Sequence, residues 1–318
     1  MKNILVTGGC GYTGTPLTRK LLEAGHRVTV FDTQWFGNYL EPHPSLTLVK
    51  GDVRNVGSIP LDGKEVVFHL ANIANDPAVD LDPSLSWEVN ALAAMQLADQ
   101  SVRKGVKQFV FASSGSVYGV KTEERVTEDL ELVPISVYNK TKMVAERVLL
   151  SYAGAMQVHC VRPATVCGFS PRMRLDVAVN MLTFQALKNK RITVFGGDQT
   201  RPNIHIEDLA DVYLHLLAHP EIASGCYNAG FENISILEIA QRVTALVPAE
   251  IIVSPSNDPR SYRLDSSKLL ATGFAPQRSV SQAIGELIEH FQTGALADDG
   301  SHHNVRWMQQ LITSGSLV

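Results

Sequence analysis

Tyr138 and Lys142 stand four positions apart in SVYNKTKMVAERVLL, a spacing that puts both side chains on one face of a helix. A tyrosine phenol ordinarily titrates at about 10, so work as a general base near neutral pH needs that value drawn down, and a fixed lysine ammonium beside it has the right sign. Most Tyr-x-x-x-Lys pairs are only solvated helix faces. Here the pair follows a glycine loop, a strand-end Asp and a Ser-rich strand end at Phe111-Ala112-Ser113-Ser114, in that order along the chain.

The glycine loop is TGGCGYTG, which carries Gly8, Gly11 and Gly14 with Tyr12 and Thr13 between them, directly after the strand-like KNILVT and directly before a helical pattern. Glycines there let the chain turn tightly and let backbone amides approach a pyrophosphate, whose charge the helix N-terminus then holds. Asp32 lies 18 positions beyond Gly14 at the end of RVTVFD, where a carboxylate accepts hydrogen bonds from ribose hydroxyls. The same charge opposes a 2′-phosphate, and no Arg follows in TQWFGN, so the expected cofactor is NAD rather than NADP. Lys142 is then placed to bond the nicotinamide ribose. Asp52 and Val53 in GDVRN can meet the adenine, and Leu70, Ala71 and Asn72 after the fourth strand can line the cofactor cleft; the plain alternative for each is a strand-end loop.

These residues need a scaffold, and the first half of the chain supplies its signature. NILVT, RVTVFD, LTLVKG, EVVFHLA and KQFVFAS are short β-branched runs separated by helical patterns, including long ones from Leu85 to Lys104 and from Val137 to Tyr152. That alternation predicts α/β architecture, with right-handed βαβ units in a doubly wound parallel Rossmann sheet buried on both faces. VHCVRPATV reads as the next strand. The rhythm loosens after Gly168, which divides the chain into an NAD-binding domain over 1–168 and a smaller substrate-binding lobe over 169–318. VYLHLL and CYNAG look like core elements, so the lobe should be interwoven with the first domain; one continuous domain with long insertions is the alternative. At 318 residues and 45% hydrophobic composition the chain can bury a large core. Its net charge of -4 offers no basic field for nucleic acid, no run is long enough to span a bilayer, and the amino terminus lacks the form of a signal peptide, which makes the cytoplasm the expected location. The four cysteines form no CxxC pair or zinc-ligand cluster, so no metal is expected and they read as reduced packing residues.

With these motifs in place, the sequence resembles the extended short-chain dehydrogenase/reductase family, and within it the nucleotide-sugar epimerases and dehydratases. TGGCGYTG, GDVRN, FHLA, SSGSVYG, YNKTK, VRPATVCG, RPNIHIEDLA and YNAG fall in family order over nearly the whole chain. The resemblance implies that Ser114 hydrogen-bonds the reacting sugar oxygen with Ser116 nearby, that Tyr138 exchanges a proton, and that Lys142 tunes it. It further implies that Arg201 and Arg260 grip a sugar diphosphate, a bidentate role that suits guanidinium, with Asn180 near that diphosphate. The expected partners are a nucleotide-diphosphate sugar and a second copy of the chain. In the resembling family the two long helices form a four-helix bundle between subunits, which would place Ala91, Ala94, Leu97, Val144 and Val148 at the contact.

The sequence departs from the family at Thr165, usually Asn, at Asn72, usually a second Ala, and at Pro202 and Asn203, usually Asp and an aromatic. CGFSPRMRLDVAVN resembles a subset that includes enzymes acting on GDP-linked heptoses, so Arg172 and Arg174 either touch substrate or form a surface ion network with Asp176. The reaction expected is epimerisation at C4 through a 4-keto sugar. Oxidation with release of the keto sugar uses the same residues. A 4,6-dehydratase needs an added acid and base, which family dehydratases carry as an Asp-Glu pair where this chain has Gly115 and Ser116. A regulatory protein that binds NAD without turnover is the rival of another class, and the intact Ser114, Tyr138 and Lys142 speak against it.

Overall fold

The computed structural model describes residues 1–256 and 261–316. Its strands are β1 (Asn3–Thr7), β2 (Arg27–Asp32), β3 (Leu46–Lys50), β4 (Val66–His69), β5 (Gln108–Ala112), β6 (Gln157–Pro163), β7 (Thr165–Cys167), β8 (Arg191–Phe195), β9 (Thr200–His205), β10 (Gly225–Ala229), β11 (Glu232–Ser235) and β12 (Glu250–Ser254). Seven of them form one parallel sheet in the order β10-β6-β5-β4-β1-β2-β3. Every residue of β4 and four of the five in β1 are buried, because helices cover both faces, and this is why these strands read as continuous apolar runs. The strand order reverses between β1 and β4, so a crevice opens beyond their carboxyl ends.

The second half of the chain contributes to this core. β10, the CYNAG segment, forms the edge next to β6. VYLHLL lies in the helix Ile206–Ala218, whose Val212, Tyr213 and Leu216 pack with Val6 and Phe68 of the large sheet. The rest of the half builds a three-stranded sheet, β11-β9-β7, and a two-stranded one, β12-β8, around the helices Ala178–Asn189, Ile236–Thr244 and Val280–Gln292. VHCVRPATV is therefore two strands rather than one. Pro163 has no N–H with which to continue the ladder, and after it the chain leaves the large sheet and re-pairs as β7 against β9.

The helix expected from Leu85 to Lys104 is also broken into Pro83–Trp87, a π-helical turn over Glu88–Leu92, and Ala93–Arg103. The extra residue of the π-turn rotates Asn90 inward. Its amide accepts from Ile73 N at 2.8 Å and donates to Ile73 O at 3.1 Å, which pins the loop after β4. Ala94 and Leu97 turn into the core instead of towards a partner. What faces outward is a groove lined by Trp87, Ala91, Leu92, Met95, Val144 and Val148. Among the described residues no helix is long and apolar enough to cross a membrane, no His, Cys, Asp and Glu cluster could hold a metal ion, and all four cysteines are free and buried.

Candidate active site

A cavity of about 530 Å³ opens at the strand-order reversal, and its walls bring together Gly8, Gly11, Tyr12, Thr13, Gly14, Asp32, Asp52, Val53, Leu70, Ala71, Asn72, Ser114, Ser116, Tyr138, Lys142, Thr165 and Arg201. The glycine loop is shaped by close approach. Gly8 sits at φ +75°, and a Cβ there would meet Ala71 N at 2.5 Å, while one on Gly14 would collide with the Gly8 carbonyl. A Cβ on Gly11 would meet only Gly8 O, at 3.2 Å, so the loop stays open on its cavity side. The helix Gly14–Glu23 begins directly behind it. Beside the loop, the Asp32 carboxylate accepts from Cys10 N at 3.0 Å and Gln34 N at 2.7 Å. Burial raises its pKa, which the two amides and the Arg172 cation oppose. An open anion-binding loop beside a fixed carboxylate fits the pyrophosphate and ribose of a dinucleotide. Asp52 is held by Arg54, which donates from Nε at 2.9 Å and Nη2 at 2.7 Å.

Ser114, Tyr138 and Lys142 are presented by the end of β5 and the helix Val137–Leu150. Ser136 caps that helix, its hydroxyl oxygen accepting from Asn139 N at 3.1 Å while the hydroxyl donates to Asp76 at 2.5 Å. Ser114 lies 2.8 Å from Ser116, whose hydroxyl donates to Asn139 at 2.6 Å. With the Ser116 proton used on Asn139, the Ser114 hydroxyl is the donor in the Ser114–Ser116 contact, and the Ser114 oxygen accepts from Ser116 N at 3.2 Å. Lys142, 1% exposed, donates to the Ala112 carbonyl at 2.8 Å and sits 4.6 Å from the Phe111 ring centre.

Three expectations change. The Lys142 ammonium is turned to Ala112 and Phe111, so it is not the group that draws the phenol down. Burial pushes Tyr138 up, and the opposing influences are a hydrogen bond with Ser114, the Arg174 cation and a hydrogen bond with Asn72. Burial also lowers Lys142 to about 7, against the pull of Glu146. Asn180 does not reach the cavity surface. It is fully buried, and its amide accepts from Gly168 N at 3.0 Å and donates to Tyr12 Oη at 3.0 Å and Arg174 O at 2.9 Å, latching the glycine loop to the second lobe. Arg174 and Asp176 are not a surface network: their 2.8 Å pair lines the cavity with side chains 13% and 16% exposed. Arg260 lies outside the described residues.

The family described as NAD dependent epimerase/dehydratase matches residues 4–230 of this chain. The chain belongs to that family. Among its relatives, UDP-glucose 4-epimerase of Lactobacillus helveticus is 28% identical over 293 residues, covering 83% of this chain and 89% of that one. UDP-glucuronic acid decarboxylase 1 of Danio rerio is 28% identical over 308 residues, with coverage of 91% and 72%. The structure of Thermus thermophilus UDP-glucose 4-epimerase in complex with NAD superposes with a TM-score of 0.79 at 26% identity, covering 91% of this chain and 99% of the other.

In this NAD-dependent epimerase/dehydratase, several cavity residues carry no sequence signal as strong as the glycine loop. Trp35 and Phe36 line the walls from the loop after β2 and Asp76 from the start of the short helix Asp76–Val79, places where residue type alone says little. Arg172 and Arg174 are conspicuous as a pair in the sequence, but the fold gives them different partners, Asn304 for Arg172 and Asp176 for Arg174. Arg174 acts on Tyr138, whereas Arg172 acts on Asp32.

Proposed function

We propose that this enzyme epimerises a nucleotide-activated sugar at C4 through a 4-keto intermediate. The observation that carries the reading is the convergence of Ser114, Tyr138 and Lys142 on the same cavity as the glycine loop and Asp32. Similarity to enzymes named for UDP-sugars supports a nucleotide sugar as substrate. NAD, when bound, supplies the hydride acceptor. Ser114 holds the C4 oxygen while Tyr138 takes the hydroxyl proton, and Tyr138 returns it after the sugar has presented its other face. Arg201 on β9 lines the cavity and suits the diphosphate. Dehydration is the weaker reading because Gly115 and Ser116 offer no carboxyl group, and Ser116 is committed to Asn139.

The deciding experiment incubates purified enzyme with UDP-, GDP-, dTDP- and CDP-sugars and no added NAD, with products read by NMR. Inverted sugar without net NADH is the expected result. NADH accumulation would mean net oxidation, and a 4-keto-6-deoxy or decarboxylated product would mean another reaction of the family.

We further propose a homodimer through the groove of Trp87, Leu92, Met95, Val144 and Val148. Trp87, Leu92 and Met95 are 38%, 46% and 36% exposed, an apolar face that a second copy of the same two helices would cover. Light scattering should give twice the chain mass, and Leu92→Glu with Met95→Glu should give one. A wild-type protein at the monomer mass would end this proposal.

A further inference from the structure

We infer that Arg172 is a cofactor-anchoring residue, a cation delivered from the second lobe to bind the pyrophosphate of the dinucleotide on the side away from the glycine loop. This rests on the cavity being the NAD site and is independent of which sugar reaction follows.

The observations come from the Arg172 side chain and its surroundings. The residue is 3% exposed yet lines the cavity. Its guanidinium stacks over Phe36 with 4.1 Å to the ring centre, and Phe36 lies four residues beyond Asp32 on the loop that leaves β2. Nη1 donates to Met173 O at 3.1 Å and Nη2 to Asn304 Oδ1 at 2.7 Å. Nε is buried and has no hydrogen-bond partner among the described residues. Nor does Arg172 have an ion pair among them. Asp176, the acidic side chain four residues away in the same cavity wall, is engaged by Arg174 at 2.8 Å, Asn304 N at 3.1 Å and Asn75 at 3.3 Å. Burial and the like charge of Arg174 lower the Arg172 pKa to about 10, as expected of a cation short of counter-charge.

A buried cation with an unused donor calls for an anion. Which anion follows from where the guanidinium stands. It stacks on Phe36 of the loop that follows Asp32, acts electrostatically on Asp32, and follows by two residues Ser170, whose hydroxyl donates to Tyr12 O of the glycine loop at 3.0 Å, so it stands beside both the ribose carboxylate and the glycine loop. A dinucleotide bound there by the loop would turn the other face of its pyrophosphate to Arg172. The geometry is held by the last helix, Asn304–Thr313, which supplies Asn304 and whose Trp307 donates to Trp35 O at 2.7 Å.

Calorimetry on nucleotide-stripped protein tests this with NAD, ADP-ribose, adenosine, NADP and UDP as probes. In Arg172→Met, which keeps an apolar stem against Phe36, NAD and ADP-ribose should bind about 10- to 100-fold more weakly, the loss of a charged hydrogen bond. Adenosine and UDP should change by less than about twofold on the same scale, and Arg172→Lys should recover part of the loss. Thermal denaturation without ligand establishes that each variant is folded. Equal weakening of adenosine would reduce Arg172 to a packing residue. Loss of UDP binding with NAD spared would assign it to the sugar nucleotide. Wild-type NADP binding at least as tight as NAD, abolished by Arg172→Met, would place a 2′-phosphate there instead. Wild-type protein that binds no dinucleotide would overturn the cofactor reading itself, which the variants alone cannot do.

Discussion

Tyr138→Phe is expected to lower kcat by about 10²- to 10⁴-fold while leaving NAD affinity within a few-fold of wild type, the range of loss for removing a general acid-base group. The substitution deletes one oxygen and keeps the ring that packs against the core. The acid limb of the pH profile provides a second reading. Tyr138 accepts a proton only as phenolate, so kcat/KM of the wild type should fall as the pH drops. Burial holds the phenol above its ordinary range, and Ser114, Arg174 and Asn72 work against that. Arg174→Met should therefore move the acid limb to higher pH, whereas removing a group with no influence on the phenol would leave it in place. A Tyr138→Phe enzyme with more than about a tenth of wild-type kcat would show that another group moves the proton.

Arg162→Met is expected to cost about 3–5 kcal/mol of folding stability, because it strands a buried carboxylate. Arg162 on β6 and Glu146 on the helix Val137–Leu150 form a two-pronged pair, Nε to Oε1 at 2.9 Å and Nη2 to Oε2 at 2.8 Å, with side chains 5% and 1% exposed. Glu146 also accepts from Ser113 at 2.5 Å, and Arg162 donates to Tyr118 Oη at 2.7 Å. Burial works against the charged guanidinium, but Glu146 holds its pKa above the usual value. Glu146 is one helical turn beyond Lys142, and Ser113 adjoins Ser114, so the pair ties the helix that carries Tyr138 and Lys142 to the serine-bearing strand end. Denaturant unfolding of Arg162→Met, Glu146→Gln and the double variant separates charge from packing. The double variant should be more stable than Arg162→Met alone, since it no longer buries an unpaired charge. If it is not, shape rather than electrostatics dominates at this site.

Features whose physics is local are legible in the residue order. A strand, a glycine turn and a helix are adjacent in the chain, so TGGCGYTG with Asp32 after the next strand already describes a nucleotide loop. Tyr138 and Lys142 share a face because the helical repeat alone puts them there, and the buried parallel strands announce themselves by apolar runs. Groups that meet across the fold are another matter, because no spacing in the chain encodes their contact. Arg172 is 140 residues from Asp32, and only the packing of Phe36 and Asn304 around it brings it beside the loop that follows Asp32. Asn180 reads as a ligand residue in the sequence but is consumed by backbone groups of Gly168 and Arg174 and by the Tyr12 hydroxyl. The electrostatics of Tyr138 and Lys142 escape the sequence for the same reason. Desolvation is set by everything packed around a side chain, and at both residues burial shifts the pKa more than any neighbouring charge does.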